Sequence, residues 1–231
     1  MPRGYKIHCY DASHMLILLP PSEGKISPES GEKLDLSALS FSADLSEVRA
    51  ARIPGDIDLT KCRPASEIYS GVLYKALDWG GLPKTAQKRG LKSVAIISSL
   101  FGAIRMSDVI PSYKVKMKTS SWKSGVTAAL EKLSSELIID CRSSTYAGVW
   151  QPDPRKTVAI RVFKVVGRNR IVITHMSKKY RGELTRHLLL EPIPPRSPLE
   201  LELIVAKYFE CELVENQGHS PWYLDLLIPG E

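Results

Sequence analysis

Short apolar segments recur along the first two thirds of the chain, each followed or preceded by polar residues. They are Met15–Leu19, Ser93–Ser98 and Glu136–Cys141. Short, nearly continuous apolar runs of this kind are typical of strands that are buried on both faces. Thr157–Phe163 and Arg170–His175 flank a glycine-containing turn and predict a further strand pair.

Capping residues and near-helical spacing of apolar positions predict the helices. The predicted helices are Ser66–Trp79, Pro83–Gly90, Ser120–Ser134, Ser177–Leu190 and Ser197–Phe209. Ser27–Leu45 and Arg52–Pro64 predict loops, because they are rich in polar residues, glycine or proline. Glu210–Glu215 and Trp222–Ile228 predict a closing hairpin. Strands interleaved with helices indicate an α/β fold, of α+β character, with helices around a central mixed sheet.

A length of 231 residues fits one domain or two small ones, and we expect a single domain over residues 15–231. Residues 1–14 look unlike the rest, and Ser13-His14-Met15 resembles a cloning remnant. We therefore expect residues 1–14 to be a tag, with the native chain starting at Met15. A genuine N-terminal extension is the alternative.

A net charge of +7 favours anionic partners such as nucleic acid, nucleotides or phosphorylated metabolites, without choosing among them. No apolar run approaches the roughly 20 residues that span a bilayer, and no signal peptide is visible, so no membrane partner is expected. The four cysteines, Cys9, Cys62, Cys141 and Cys211, show no zinc-binding spacing. They predict free thiols in a reducing compartment. We expect a cytoplasmic protein, and we expect neither a metal nor a cofactor.

The first polar cluster is Pro20–Lys25, directly after the first apolar run. Ser22 and Lys25 are candidates for holding an anion together with backbone N–H groups, and Glu23 is a candidate base. The segment lacks the glycine spacing and the Lys-Ser/Thr pair of a Walker A loop. An ordinary polar turn is the alternative interpretation.

The second polar cluster begins at Asp140, where the third apolar run ends. Asp140 is a candidate general acid or base, or simply a helix cap. Arg142 and Ser144 are candidates for binding phosphate or substrate, and Ser143 and Tyr146 for taking part in catalysis. No histidine lies at a local spacing that would make Ser143 a triad nucleophile, although a distant partner stays open.

Further basic residues suggest substrate binding. His175, Lys178, Lys179 and Arg181 lie at the start of the predicted helix Ser177–Leu190. Cations there oppose the helix dipole and need a compensating anion, which is a protein carboxylate or a ligand. A solvated basic face is the alternative. Arg105 is a further candidate, unless it pairs with Asp108 and only braces its loop.

Several segments in order resemble the YaaA family, also known as the DUF328 or peroxide-stress-resistance group, and look closest to its actinobacterial branch. The matching segments are MLILLPPSEGK, YSGVLYKAL, SSLFGAIRMSDVIPSYKVKM, LIIDCRSSTYAGVW and HMSKKYRGELTRHLLL. The resemblance spans Met15 to Leu190. It implies an α/β fold of the family's own type, a cytoplasmic role in limiting iron-linked oxidative damage, and DNA binding through a helix-hairpin-helix element.

This chain departs from the family in the interval Ser42–Glu67, which is shorter and shows no helix-hairpin-helix pattern. Ile53–Asp56, its only Pro-Gly turn, lacks predicted flanking helices. We therefore expect a pocket that binds an anionic, nucleotide-like or nucleobase-like small molecule and transforms it by acid/base chemistry. N-glycosidic cleavage between Glu23 and Asp140, a lyase reaction and a transfer reaction all fit. The alternatives are a non-catalytic DNA-binding stress protein and, last, a metal-handling protein. The oligomeric state stays open.

Overall fold

A mixed sheet of eight strands runs through the centre of the computed structural model, which describes residues 14–173 and 176–230. The strands are β1 Met15–Leu19, β2 Arg63–Pro64, β3 Val94–Ser98, β4 Gly102–Ile104, β5 Val109–Ile110, β6 Leu137–Asp140, β7 Thr157–Val166, β8 Asn169–Val172, β9 Glu210–Val214 and β10 Trp222–Pro229. The helices are α1 Ser42–Ala50, α2 Ala65–Ile68, α3 Val72–Leu77, α4 Lys84–Ser93, α5 Thr119–Glu131, α6 Ser144–Ala147, α7 Ser177–Leu190 and α8 Pro198–Val205. The expected α/β fold is confirmed.

The strands follow the order β4-β3-β1-β6-β7-β10-β9, and β8 pairs with β7. Pairing is parallel from β3 through β10, whereas β4, β8 and β9 join antiparallel. The predicted strand pair corresponds to β7 and β8, and the predicted closing hairpin corresponds to β9 and β10. The predicted segment Arg170–His175 extends into residues 174–175, which lie outside the described part of the chain. β2 and β5 form a separate two-stranded sheet.

The direction in which successive strands are added reverses between β1 and β6. From β1 the chain reaches β3 on one side, and it later enters β6 on the other side of β1. Leu18 on β1 is aligned with Asp140 on β6, so both strands end at nearly the same level. In open α/β sheets a ligand crevice forms beyond the strand ends at such a reversal.

Two apolar layers cover the two faces of the sheet. Along β1, Met15, Ile17 and Leu19 belong to the layer that includes α3, α4, α7 and α8. Leu16 and Leu18 point to the layer that includes α1 and α5. Because β1, β3 and β6 are buried on both faces, their sequences are mostly apolar and do not alternate between apolar and polar residues. Within the described residues, no helix has both the length and the apolar character needed to cross a membrane.

The predicted helix Ser66–Trp79 is divided into α2 and α3. The residues between them form hydrogen bonds with the loop after β1, because the Ser70 N–H donates to the Gly24 carbonyl (3.0 Å) and the Gly71 N–H donates to Ser22 Oγ (2.7 Å). These backbone donors are therefore not used for a continuous helix. The break places α3 directly beside the loop that follows β1.

The predicted loop Ser27–Leu45 is wrong in its last residues, because helix α1 begins at Ser42. Its buried face contains Leu45 and Arg49, and an arginine in the core hides the apolar periodicity of a helix. Arg49 is fully buried and donates to the carbonyls of Phe101 (2.9 Å), Ala103 (2.7 Å) and Ser40 (2.8 Å). α1 also precedes the Ile53–Asp56 turn, which was expected to lack a helix on either side. The next helix, α2, has four residues.

Candidate functional site

A pocket of about 260 Å³ lies beyond the ends of β1 and β6, at the crevice that the strand order predicts. We call it the β1–β6 pocket. Residues 20–24 after β1 and residues 71–74 at the start of α3 form two of its walls. Ser143 and Tyr146, beside and within α6, form the third, and Ser177, Lys178 and Arg181 on α7 form the fourth. Both polar clusters and the basic helix start thus contribute to one site.

Hydrogen bonds to α3 hold the loop after β1 in place. The Tyr74 hydroxyl donates to the Pro20 carbonyl (2.7 Å), and Ser22 Oγ accepts from the Gly71 N–H. Ser22 is almost fully buried, so its hydroxyl positions the loop as well as lining the pocket. A Cβ at Gly71 would lie well inside 3.0 Å of Ser22 Oγ, which explains the glycine there. Tyr74 therefore both anchors this loop and lines the pocket.

Asp140 and Arg142 bind each other rather than facing the pocket. Arg142 Nε and Nη2 donate to the two carboxylate oxygens of Asp140 at 2.9 and 2.7 Å. Arg142 Nη2 also donates to the Trp150 carbonyl (2.9 Å), and the side chain is 1% exposed. The pair braces the segment between β6 and Trp150. This geometry leaves Asp140 engaged as an ion-pair acceptor and speaks against its predicted acid/base role and against substrate binding by Arg142.

Arg105 is likewise part of the core and does not line the pocket. Its Nη1 donates to the carbonyls of Lys92 and Val94, both at 2.8 Å, and its guanidinium lies 5.2 Å from the centre of the Phe41 ring. The Arg105 N–H donates to Asp108 Oδ2 (3.0 Å), and burial raises the pKa of Asp108. These contacts favour the bracing alternative over a role in substrate binding.

The first turns of α7 present two cations to the pocket and one away from it. Lys178 and Arg181 line the pocket, whereas Lys179 pairs with Glu183 (3.6 Å) on the outside of the helix. Arg181 donates to the carbonyls of Ile160 (3.1 Å) and Arg142 (3.3 Å). Its buried Nε has no hydrogen-bond partner among the described residues. His175 lies outside the described part of the chain.

Among the described residues, Glu23 is the carboxylate that lines the pocket, together with the hydroxyls of Ser143 and Tyr146. Its side chain is 87% exposed and accepts from Lys178 at a long 3.4 Å. Tyr146 also lines the pocket, and burial, followed by the charge of Glu23, raises its pKa. Ser143 also lines the pocket, whereas Ser144 is exposed and does not. The site therefore combines one accessible base with hydroxyl groups that stay protonated near neutral pH.

Lys25 faces a neighbouring cavity of about 320 Å³, which we call the Lys25 cavity. Its other lining residues are Glu23, Ser112, Tyr113 and Lys114. Lys25 Nζ donates to the Ser22 carbonyl and lies 4.3 Å from the centre of the Tyr113 ring. Burial lowers the pKa of Lys25 to about 8, although the Glu23 charge opposes this shift. The predicted anion-binding residues Lys25 and Lys178 thus belong to adjoining cavities that share Glu23.

The cysteines of the described residues are unsuited to reaction as thiolates. Burial raises the pKa of Cys141 to about 12 and those of Cys62 and Cys211 to about 11. Because the thiolate is the nucleophile, we expect all three to resist alkylation and peroxide oxidation in the native protein at pH 7. Peptide mass spectrometry after iodoacetamide treatment measures this. The same reaction in denaturant should label all three, and equally fast labelling of the native protein would contradict the expectation.

No group of three or more His, Cys, Asp or Glu side chains within residues 14–173 and 176–230 is placed to hold a metal ion. The structure therefore adds no observation in favour of the metal-handling alternative. The described residues of the β1–β6 pocket provide cations, hydroxyls and one carboxylate instead.

A family model described as "Peroxide stress protein YaaA" matches residues 32–202. A UPF0246 protein of Streptomyces coelicolor is 31% identical over 258 residues, covering 93% of this chain and 98% of that protein. A UPF0246 protein of Corynebacterium glutamicum is 34% identical over 245 residues, covering 89% and 97%. The Streptomyces alignment exceeds the 231 residues of this chain, so that relative carries residues without a counterpart here. Both organisms are actinobacteria, as the resemblance implies.

Proposed function

The chain belongs to the YaaA peroxide stress protein family, and from this premise we propose that its β1–β6 pocket binds an anionic, nucleotide-like small molecule and transforms it by acid/base chemistry. The observation that carries the proposal is the placement of Lys178 and Arg181, together with the start of α7, around a pocket whose one carboxylate, Glu23, is highly exposed. Cations at a helix N-terminus favour the binding of an anion there, because the N-terminal end of the helix dipole is also positive.

The walls of the pocket support a ligand with a flat or apolar body. Apolar or aromatic surface between the polar groups is provided by Pro20, Pro21, Val72, Leu73 and Tyr74. A volume of about 260 Å³ is slightly below the roughly 300 to 1,000 Å³ of typical ligand pockets, so one small metabolite fits better than a polymer. A heterocycle that carries a phosphate or carboxylate matches this combination.

Glu23 and Tyr146 are the groups that we assign to the chemistry. Glu23 is the base, because it is the carboxylate of the pocket and is accessible to a ligand. Tyr146 is the proton donor that we assign, because its hydroxyl lines the same pocket as Glu23. Asp140 is held by Arg142, so a mechanism with two carboxylates on either side of a glycosidic bond is disfavoured. A lyase or transfer reaction, or a hydrolysis with one carboxylate, fits the site better.

Thermal stabilisation tests the binding step with a matched pair of variants. Wild-type protein is melted with nucleotides, nucleobases, sugar phosphates and short duplex DNA, since a ligand of the native state raises Tm. We expect Lys178→Ala to weaken the binding of the stabilising small molecule by about tenfold or more, because a charge-assisted contact is lost. Lys179→Ala, one residue away and outside the pocket, should leave the shift unchanged. Equal effects of both variants would contradict the proposal.

The catalytic step is tested separately on the ligand that the panel identifies. Glu23→Gln should retain binding, because the substitution keeps the shape and does not touch the cations. Loss of a general base typically lowers turnover by a factor of about 100 to 10,000. Unchanged turnover would remove Glu23 from the mechanism, whereas absence of turnover in the wild type would leave a binding protein.

DNA binding in the peroxide stress response is the second candidate function. Exposed lysines favour it, because Lys84 and Lys88 on α4 and Lys114, Lys116 and Lys118 in an extended segment all face solvent. Binding to phosphates through lysines weakens steeply with salt. A stabilising effect of duplex DNA alone that disappears as salt rises, and that persists in Lys178→Ala, would favour this function over the pocket.

A further inference from the structure

Lys25 occupies an unusual position for a lysine. Its Nζ donates to the Ser22 carbonyl and lies 4.3 and 5.5 Å from the centres of the Tyr113 and Tyr69 rings. Among the described residues no carboxylate forms an ion pair with it, and Glu23, the nearest acid in sequence, pairs with Lys178 instead. The amine is thus partly removed from water without a fixed counter-charge, while it still faces the Lys25 cavity.

The backbone around Lys25 holds this amine in place. Lys25 forms an antiparallel bridge with Tyr69, and the Ile26 N–H donates to the Ile68 carbonyl (2.8 Å). One N–H of the amine is directed to the Ser22 carbonyl, and the side chain lines the Lys25 cavity. A nucleophile that is already positioned loses little conformational freedom on reaction.

Partial burial also makes the amine available in its neutral form. A pKa of about 8 leaves about a tenth of the Lys25 side chains uncharged at pH 7. The charged or titratable groups that face Lys25 are Glu23, Lys114, Tyr69 and Tyr113. The Glu23 carboxylate and the two aromatic rings favour the ammonium form, so burial outweighs them.

We propose that Lys25 is a nucleophilic amine that forms an imine with a small aldehyde or ketone carrying a carboxylate or phosphate in the Lys25 cavity. Desolvated lysines without a fixed carboxylate partner are the ones that form Schiff bases with carbonyl substrates. Lys114 on the cavity wall supplies the positive charge for the anionic group of the ligand. This site is distinct from the β1–β6 pocket, although both share Glu23, and it goes beyond the function proposed above.

The reaction is balanced without an oxidant or reductant. Neutral Nζ attacks the carbonyl carbon, and the carbonyl π electron pair moves to oxygen, which takes up a proton to give a carbinolamine. The nitrogen loses a proton, the hydroxyl leaves as water after protonation, and a C=N bond forms. Glu23 lines the cavity and is placed to accept the proton from nitrogen and return it to the departing hydroxyl.

Reductive trapping tests this proposal on the wild-type protein. The protein is incubated with glyoxylate and sodium cyanoborohydride at pH 7, and the modified lysines are mapped by peptide mass spectrometry. Lys25 should be modified about tenfold faster than Lys114, an exposed lysine of the same cavity, because Lys25 is held in position by its contacts and burial leaves part of its amine uncharged at pH 7. The Lys25 rate should level off as pH rises above about 8. Equal rates at both lysines, or no modification of Lys25, would overturn the proposal.

Variants separate this activity from binding in the β1–β6 pocket. Lys25→Arg should abolish trapping at this position while the circular dichroism spectrum stays native. Arg181→Lys should leave the trapping rate at Lys25 unchanged, since Arg181 lines the β1–β6 pocket but not the Lys25 cavity and donates to the Ile160 and Arg142 carbonyls rather than to Glu23. Trapping can therefore fail while ligand binding in the β1–β6 pocket is confirmed, and binding can fail while trapping is confirmed. A large loss of trapping in Arg181→Lys would overturn the assignment to a separate site.

Discussion

Asp140→Asn is expected to lower the free energy of unfolding by about 3 kcal/mol, since removing one partner of a buried ion pair leaves the other charge uncompensated. Arg142 is 1% exposed, and both of its carboxylate contacts would be weakened by the neutral amide. For a protein of this size the change corresponds to a fall in Tm of roughly 6 to 12 °C. Chemical denaturation and thermal melting measure it.

A matched control lies a few residues further along the chain. Asp153 and Arg155 have the same spacing and the same two-point geometry, with Nε and Nη2 of Arg155 at 3.1 and 2.7 Å from the carboxylate. Arg155 is 85% exposed, so water solvates its charge when the partner is lost. Asp153→Asn should therefore change Tm very little. A native Tm in Asp140→Asn, with turnover lost and ligand binding retained, would return Asp140 to an acid/base role.

Gly182→Ala is expected to destabilise the protein by about 3 kcal/mol, against the helix propensity of alanine. A Cβ at Gly182 would lie well inside 3.0 Å of the Leu73 carbonyl oxygen and 2.9 Å from Ala76 Cβ, where α7 crosses α3. Backbone atoms cannot retreat as a flexible side chain does, so the helices must separate. Alanine would otherwise stabilise a helix by about 1 kcal/mol relative to glycine.

The same substitution should also disturb the β1–β6 pocket. Leu73 on α3 and Arg181 on α7 both line it, and each is at or next to the point of contact. We expect a lower Tm and weaker ligand binding together. Gly80→Ala is the control, because a Cβ there meets no atom within 4 Å. An unchanged Tm in Gly182→Ala would show that the two helices are less tightly packed than described.

Much of the fold was predictable, because strands that are buried on both faces have short, continuous apolar sequences. β1, β3 and β6 were each found to within a residue or two, and α7 was placed at Ser177–Leu190. Elements that depend on partners elsewhere were missed. α1 is stabilised by a buried arginine that bonds to carbonyls more than 50 positions away in the chain, and local apolar periodicity does not report such contacts.

The candidate site was predictable in outline and not in detail. Polar residues after β1 and β6 were expected to share a site, and Ser22, Glu23, Ser143, Tyr146, Lys178 and Arg181 do line one pocket. Lys178 and Lys179 are adjacent and identical in chemistry, yet one faces the pocket and the other faces solvent. Neighbouring positions of α7 point in different directions, and the side of α7 that contains Gly182 packs closely against α3.

The sequence by itself determined the α/β class, the strands of the parallel core and the family, since apolar patterning and ordered motifs are local properties of the chain. Only the tertiary structure decided which polar groups are available for chemistry. Asp140 and Glu23 are both carboxylates in loops after strands, but the folded chain buries an arginine against Asp140 and leaves Glu23 exposed between two cavities. Availability depends on which groups come from distant segments, and that information is absent from local spacing.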